Sequence, residues 1–240
     1  MSGPASASGV DGVIHTEGMV FVPEGEFIMG SDWFDCESPV RKINIPDYWI
    51  DVHPVTHAEF FEYVIATGAP WVPDWPVDGP PPHLLASPVE RVTWVEANSY
   101  AKWRGKRLPT EAEWEKAARG TDGRIWPWGN EFLETMANVW DSAKPMNRMT
   151  LPNGSTPGNL SPYGCVDMVG NVEEWVEDLS LPYPGSLASS ASLGSECRVL
   201  RGGSWFYTNE FTRCSFRRGA LPTFSGYELA GGPGFRCAKS

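Results

Sequence analysis

The segment Gly105-Lys-Arg-Leu-Pro-Thr-Glu-Ala-Glu-Trp-Glu115 carries the strongest local structural signal in the sequence. Within it, Thr110-Glu-Ala-Glu113 has the form of a capping box, in which the Thr side chain and the Glu three residues later bind free amides at the start of a helix. Trp114, Ala117 and Ala118 follow at helical spacing, and Gly120 is a typical helix-ending residue. The segment therefore predicts a short helix with a Trp on its buried face.

The same signature occurs twice earlier in the chain. Thr56-His-Ala-Glu59 predicts a helix that runs to Thr67 and ends at Gly68, and Thr93-Trp-Val-Glu96 predicts a helix that ends at Gly105. The helical period places a shared set of apolar residues on the inner faces of these two helices: Phe60, Tyr63, Val64, Ala97, Tyr100 and Ala101.

Outside these helices the pattern indicates short strands and long loops. Residues 18–30 predict two strands separated by Pro23-Glu-Gly25, and residues 41–51 predict a further strand pair. After Gly120 turn-forming residues dominate. We therefore expect a flexible tail over residues 1–16 and one loop-rich α+β domain over residues 17–240.

Composition excludes several classes of protein. The 240 residues carry 19 Lys and Arg against 30 Asp and Glu, a net charge of −11, which argues against nucleic-acid binding. No run of about 18 apolar residues predicts a membrane span, and Met1–Gly9 does not resemble a secretory signal, so the expected location is the cytoplasm. The five cysteines include no Cys-x-x-Cys pair, so neither a zinc site nor a redox dithiol is indicated.

Six strings in fixed order resemble the formylglycine-generating enzyme, or sulfatase-modifying factor, family. They are Met19–Gly30, Gly105–Glu115, Trp126–Asn130, Met168–Trp175, Arg201-Gly-Gly-Ser-Trp205 and Gly234-Phe-Arg-Cys-Ala238. The resemblance implies an α+β fold related to C-type lectins. It does not imply one function, because the family includes copper-dependent cysteine oxidases, iron-dependent sulfoxide synthases, siderophore-tailoring proteins and variable binding proteins.

The cysteine pair of the formylglycine-generating enzymes is missing. The resemblance places the two catalytic positions at Tyr207 and Thr212, neither of which offers a thiolate to copper. Cys214 and Cys237 match structural cysteines of the family, whose disulfide partners correspond to Ala101 and Ala118 here. Cys214 is either a small buried side chain or a reactive thiol activated by nearby Arg213, Arg217 and Arg218. In the second case Cys214, Tyr207 and Arg217 would be the catalytic candidates.

The string Asp167-Met-Val-Gly-Asn-Val-Glu-Glu174 resembles a calcium loop of the family. The resemblance implies ligands from the Asp167 and Glu174 side chains and from the carbonyls of Gly170 and Val172, which are oxygen donors suited to Ca²⁺. The alternative is an Asx-turn beside a solvated carboxylate. A second calcium site would use Asn138 and the Val139 carbonyl, with further ligands near residues 147–152.

His53-Pro-Val-Thr-His57-Ala-Glu59 contains two His and one carboxylate, the ligand set of many non-haem iron sites. Pro54 and the cap at Thr56 separate His53 from the helix that carries His57, and Glu59 also has a capping role. An iron site at His53, His57 and Glu59 is therefore one interpretation, and ordinary packing is the other.

In the family the functional surface gathers around the loop after Gly-Gly-Ser. Aromatic and Arg side chains are common ligand anchors, and an Arg cluster in an acidic protein would suit an anionic small molecule or peptide. The candidate ligand-binding residues are Trp205, Phe206, Tyr207, Asn209, Arg213, Arg217 and Arg218. The alternative is that Arg213 and Arg217 brace the loops against acidic residues.

Two functions remain open from the sequence. One is a metal-assisted oxidoreductase or tailoring enzyme that acts on a small molecule or peptide, with structural calcium and with iron or copper as the candidate redox metal. The other is a calcium-stabilised, lectin-like protein that binds or displays a ligand without catalysis. No serine-hydrolase elbow or phosphate-binding loop is present.

Overall fold

The three predicted helices are confirmed in a computed structural model, which describes residues 15–16, 18–142, 149–188, 194–226 and 231–240. They are α1 (His57–Thr67), α2 (Trp94–Trp103) and α3 (Glu111–Arg119). Each begins with a complete capping box: the Glu amide donates to the Thr hydroxyl at 3.2 Å, and the Glu carboxylate accepts from the Thr amide at 2.7–2.8 Å. Local sequence chemistry therefore decides where the helices start.

The strands of the described residues form three sheets. The strands are β1 (His15–Thr16), β2 (Met19–Val22), β3 (Gly25–Met29), β4 (Arg41–Ile45), β5 (Tyr48–Asp51), β6 (Glu174–Ser180), β7 (Gly194–Arg201), β8 (Arg217–Ala220), β9 (Gly234–Phe235) and β10 (Ala238–Lys239). The sheet orders are β1-β2-β5-β10, β3-β4 and β8-β7-β6-β9. Within the third sheet β9 runs parallel to β6, and the other pairs are antiparallel.

Two details differ from the sequence prediction. The predicted strand pair of residues 41–51 does form two strands, but β4 pairs with β3 and β5 pairs with β2, so they belong to different sheets. Pro46 lies between them and cannot donate a ladder hydrogen bond. In addition, β1 pairs with β2, so the sheet begins inside the predicted tail, whose residues 1–14 lie outside the described residues.

The apolar core consists mainly of two clusters. One joins the inner faces of α1 and α2, where Phe60 stacks on Tyr100 with 5.6 Å between ring centroids. The other surrounds α3, with Trp114 fully buried. The first cluster contains Cys237 and Ala101, and the second contains Cys214 and Ala118. Both cysteines are free thiols, and their side chains pack in the core as the alanine methyl groups do.

Buried ion pairs connect α3 and the N-terminal segments to the third sheet. Arg201 contacts Glu115 at 2.6 Å, Arg213 contacts Glu37 at 2.7 Å, and Arg236 contacts Glu174 at 2.7 Å. All of these side chains are almost inaccessible to solvent. We call these pairs, together with Arg217–Glu111 and Arg119–Glu115, the ionic frame. Removal of one partner would leave an unmatched charge inside the protein.

No helix among the described residues is long and apolar enough to cross a membrane.

Candidate functional site

The loop that follows β7 carries most of the predicted ligand-binding residues. It begins at Gly202 and Gly203, which both adopt positive φ angles, and a Cβ at Gly203 would collide with the carbonyl oxygen of Phe211. Glycine is required there because the chain turns back on itself in a left-handed conformation. The turn brings Tyr207 close to Phe211 and Phe216, with ring centroids 6.1 and 6.2 Å away.

Tyr207 is connected to a pair of oppositely charged residues. The Arg218 guanidinium contacts both carboxylate oxygens of Glu173, one of them at 2.8 Å, and its charge also acts on the nearby Tyr207 phenol. Glu173 is buried and Arg218 is partly open to solvent. Burial raises the pKa of the Tyr207 phenol, and the nearby Glu173 raises it further, while Arg218 opposes both effects. The phenol is therefore protonated at neutral pH.

An aromatic cavity of about 440 Å³ lies beside this group. Its lining includes Arg218, Phe216 and Phe211, and the Phe211 ring stacks on Phe34 at a centroid distance of 5.6 Å. Trp33 stands at the cavity with half of its surface exposed. The Tyr207–Arg218–Glu173 group and this cavity together form what we call the tyrosine cleft. Its apolar lining with a few polar groups is typical of small-ligand sites.

Arg213 and Arg217 do not face the tyrosine cleft as free cations. Arg213 donates to both Glu37 oxygens at 2.7 Å, and Arg217 donates to both Glu111 oxygens at 2.7 and 3.0 Å. Of the three arginines expected to bind an anionic ligand, Arg218 remains the candidate. Arg213 and Arg217 are fully buried, and a buried charge requires an ion partner. The structure shows the bracing alternative for Arg213 and Arg217.

The remaining predicted residues of the loop have different environments. Phe206 is exposed and contacts Trp140 at a centroid distance of 6.0 Å. Trp205 is buried, and its indole nitrogen has no hydrogen-bond partner among the described residues. The backbone amide of Asn209 donates to the Asp141 carboxylate at 2.9 Å. Phe206 therefore borders the surface of the cleft, whereas Trp205 and Asn209 support the loop.

Cys214 does not have the environment of a reactive thiol. It is fully buried, and burial raises its pKa to about 12 despite the positive charges of Arg119 and Arg201 nearby. The arginines that were expected to lower its pKa donate to carboxylates instead. The activated-thiol interpretation is thus corrected by the structure, because desolvation of the thiolate outweighs the attraction of the cations.

The predicted calcium loop is a tight turn with unused oxygen atoms. Asp167 and Asn171 adopt φ angles of 55° and 60°, and the carbonyls of Gly170 and Val172 accept no hydrogen bond from the described residues. The Asp167 oxygens accept from the Gly154 amide and the Thr156 hydroxyl. These contacts leave each Asp167 oxygen one further lone pair.

Glu174 is less available to a cation. Its Oε2 atom accepts from Arg236 at 2.7 Å and from the Trp114 indole at 3.0 Å, and its Oε1 atom accepts from Arg236 at 2.8 Å. One lone pair on Oε1 remains. The oxygen donors fit Ca²⁺ chemically, provided that Glu174 binds Arg236 and the ion together.

The second predicted calcium site is already engaged by the protein. The Val139 carbonyl accepts from the amide and the hydroxyl of Ser142, and the Asn138 side chain donates to Asn171 and to the Met149 carbonyl. Residues 143–148, part of the segment expected to supply the other ligands, lie outside the described residues.

The predicted iron ligands do not converge. The His57 Nδ1 atom accepts from the Trp75 indole at 2.9 Å inside the core, whereas Glu59 binds the amide and hydroxyl of Thr56. His53 and Glu59 line a separate cavity together, without His57. Among the described residues no group of three or more His, Cys, Asp or Glu side chains could hold a metal ion. Burial lowers the pKa of His57 to about 4.

The cleft residues that were not identified from the sequence include Glu173, Trp33, Phe34 and Phe216. Glu173 lies within the string that resembles a calcium loop, so its pairing with Arg218 was hidden by the more familiar pattern. Trp33 and Phe34 are distant in the chain from the loop they contact. The sequence feature that could have identified Trp33 and Phe34 is that two adjacent aromatic residues lie between two predicted strands.

Comparisons with known proteins identify the family. The model of the sulfatase-modifying factor enzyme 1-like domain matches residues 6–240. The mouse protein "Inactive C-alpha-formylglycine-generating enzyme 2" is 34% identical over 92% of this chain and 85% of its own length. Hercynine oxygenase of Mycolicibacterium smegmatis is 33% identical over 95% of this chain, which spans 63% of that enzyme.

The fold is also known from a solved structure. PvdO from Pseudomonas aeruginosa superimposes with a TM-score of 0.74 and 27% identity, over 98% of this chain and 100% of PvdO. The predicted α+β fold is thereby confirmed, and the chain belongs to the formylglycine-generating-enzyme-like, or sulfatase-modifying factor, family.

Proposed function

We propose that this protein is a tailoring enzyme that modifies a small molecule or peptide in the tyrosine cleft, with Tyr207 as its proton donor. The observation that carries the proposal is the placement of the Arg218 cation beside the Tyr207 phenol, at the position that the family resemblance assigns to a catalytic cysteine. The similarity to hercynine oxygenase supports a catalytic rather than a purely structural role.

The chemistry follows from the protonation state of the phenol. A guanidinium can only donate, so Arg218 does not take up the phenol hydrogen, which remains available to a ligand. The charge of Arg218 would stabilise negative charge that develops on the phenol oxygen as the proton leaves. A bound molecule that gains negative charge on an oxygen or nitrogen would be stabilised by this donor. Glu173 orients Arg218 through its two carboxylate contacts and acts as a positioning residue.

The described residues do not fit a resident copper or iron centre. Tyr207 and Thr212 replace the thiolate pair, Cys214 is buried with a raised pKa, and no three-residue metal cluster occurs in the described ranges. We therefore assign no step of the reaction to such a metal. The support for oxidative chemistry in this proposal is the sequence similarity to hercynine oxygenase.

The test uses the metabolites of the source organism. Deletion of the gene is expected to make one compound accumulate and another disappear, and the wild-type gene is expected to restore both. Tyr207→Phe removes the acidic proton while keeping the ring, so it should fail to restore the profile. Cys214→Ala is the matched control in the same loop and should restore it.

Restoration by Tyr207→Phe to the wild-type level, with both variants folded by circular dichroism, would overturn the role of Tyr207. If Cys214→Ala fails to restore the metabolite profile and Tyr207→Phe restores it, the reactive group would be the Cys214 thiol and not the Tyr207 phenol.

A second candidate is a ligand-binding protein without catalysis, stabilised by calcium. The exposed aromatic rings of Trp33 and Phe206 at the cleft favour it, since such rings often serve as binding anchors. The similarity to a protein named inactive is consistent with it. An unchanged metabolite profile after gene deletion, together with recovery of an unaltered compound from the purified protein, would support this second function.

A further inference from the structure

A polar cavity of about 330 Å³ lies between the end of β5, the start of α1 and the end of α2. It shares no lining residue with the aromatic cavity beside Tyr207. Its volume is at the lower end of the range for small-ligand sites, about 300–1,000 Å³. The polar side chains around it are Asp51, His53, Glu59, Tyr100, Arg104 and Lys106.

The acceptors of this cavity are only partly used by the protein. Glu59 binds Thr56 through Oε2, and no described residue donates to its Oε1 atom. His53 Nδ1 contacts the Pro54 carbonyl at 2.9 Å and the Asn153 side-chain nitrogen at 3.2 Å, so it is already engaged by the protein. Asp51, by contrast, accepts from Lys106 at 2.6 Å and from the Cys237 amide at 2.9 Å.

The donors are also only partly used. Lys106 makes one hydrogen bond to Asp51 among the described residues, which leaves two ammonium hydrogens. Arg104 donates from Nε to the Tyr100 hydroxyl at 3.1 Å and from Nη2 to Glu62 at 2.9 Å, and its Nη1 has no partner in the described part of the chain. The Tyr100 hydroxyl hydrogen is likewise available.

The lining carries both signs of charge. Its cations are Arg104 and Lys106, which also contact Glu62 and Asp51, and its carboxylates are Asp51 and Glu59, of which Glu59 has no cationic partner among the described residues. A simple anion would leave the Glu59 carboxylate without a counter-charge, and a simple cation would leave the open valences of Arg104 and Lys106 unused. A molecule with one positive and one negative group matches both sides.

We propose that this cavity is a second ligand site that binds a small zwitterion of the α-amino-acid type. The ligand carboxylate binds Arg104, Lys106 and the Tyr100 hydroxyl, and its ammonium group binds Glu59 Oε1. The site is independent of the tyrosine cleft, so its failure would leave the proposed enzymatic function untouched.

The experiment is a thermal-shift screen of the purified protein against the common free amino acids, followed by calorimetric titration. The controls for each amino acid that binds are two half-molecules, one with only the carboxylate and one with only the ammonium group. For alanine these are propionate and ethylamine. We expect each half to bind at least about tenfold more weakly than the amino acid, because a charge-assisted contact is lost.

Two pairs of variants test the assigned residues. Glu59→Gln keeps the capping box but removes the charge, and Glu96→Gln makes the same change in the cap of α2, away from the cavity. Arg104→Gln is matched by Lys102→Gln, an exposed residue of α2 that does not line the cavity. We expect about tenfold weaker binding for the first member of each pair and wild-type affinity for the second.

Several results would overturn the proposal. They are the absence of binding by every amino acid at millimolar concentration, equal affinity for propionate and alanine, and unchanged affinity in Glu59→Gln.

Discussion

Arg217 and Arg218 are neighbours on β8 and both border the aromatic cavity, yet their side chains have different partners. Successive side chains of a strand point to opposite faces, so one residue reaches Glu111 in the interior and the next reaches Glu173 at the tyrosine cleft. The Arg217 guanidinium is 1% exposed and makes four hydrogen bonds, two of them to the carbonyls of Cys36 and Leu181. Arg218 is 21% exposed and lies beside the Tyr207 phenol.

The difference teaches that an Arg-rich loop is not one functional unit. In a fold with little regular structure, buried Arg–Glu pairs connect segments that no helix or long sheet connects. We therefore expect the frame arginines to determine stability and Arg218 to serve the proposed chemistry of the cleft.

The largest effect is expected from Glu37→Gln. Glu37 and Arg213 are both fully buried, and loss of the carboxylate leaves the guanidinium without its counter-charge. Urea unfolding should show a loss of about 3–5 kcal/mol. Asp122→Asn, which disrupts an exposed pair with Arg124, is the control and should change stability by less than about 1 kcal/mol. Equal losses in the two variants would contradict the frame.

Calcium should add a stabilisation that the ionic frame alone does not supply. If Asp167, Glu174 and the two free carbonyls bind Ca²⁺, calcium at about one hundred times its dissociation constant stabilises the fold by about 2.7 kcal/mol. Melting curves in chelator, calcium and magnesium measure this. Asp167→Asn tolerates the left-handed backbone and should abolish the calcium effect. A wild-type melting curve that calcium does not shift would argue against the site.

His57 offers the reverse case, a buried titratable group without a counter-charge. Its folded-state pKa of about 4 lies below the ordinary value of 6.5, so unfolding takes up a proton between these values. Stability is therefore complete above pH 6.5 and falls as the pH drops toward 4. Between pH 7 and pH 5 we expect a loss of about 2 kcal/mol from this residue.

Urea unfolding of wild type and His57→Gln at the two pH values checks the prediction. The variant should lose less stability than wild type on acidification, and identical losses would refute it.

Cys214 should be chemically silent. A thiol-labelling reagent at pH 8 should leave Cys214 unmodified in the native protein and modify it after denaturation, because the thiol is buried and its pKa is about 12. Peptide mass spectrometry measures the modification at each cysteine. Rapid labelling of native Cys214 would restore the interpretation as a reactive thiol.

The sequence predicted those features that depend on neighbouring residues. The three helices follow from capping boxes whose partners are three residues apart, and the family follows from six ordered strings. The partners of the arginines could not be predicted in this way, because Arg213 and Glu37 are 176 residues apart and Arg217 and Glu111 are 106 apart. Pairing of β4 with β3 likewise depends on tertiary packing.

The sites were predicted less well for the same reason. His53, His57 and Glu59 are close in the chain, but the transition from strand to helix directs His57 into the core and leaves the other two at a cavity. Glu173 was overlooked beside Glu174, although the former binds the cleft arginine and the latter binds Arg236 of the frame. Spacing alone cannot distinguish these orientations.

The most direct test of the division between frame and cleft is the same substitution at both neighbours, Arg217→Lys and Arg218→Lys, with urea unfolding as the measurement. Lysine keeps the charge but cannot reproduce the guanidinium contacts. We predict that Arg217→Lys loses at least about 3 kcal/mol, since buried carbonyls lose their donors, and that Arg218→Lys loses less than about 1 kcal/mol, since Arg218 is partly exposed and the lysine ammonium can still pair with Glu173. Equal losses, or a larger loss for Arg218→Lys, would contradict the account.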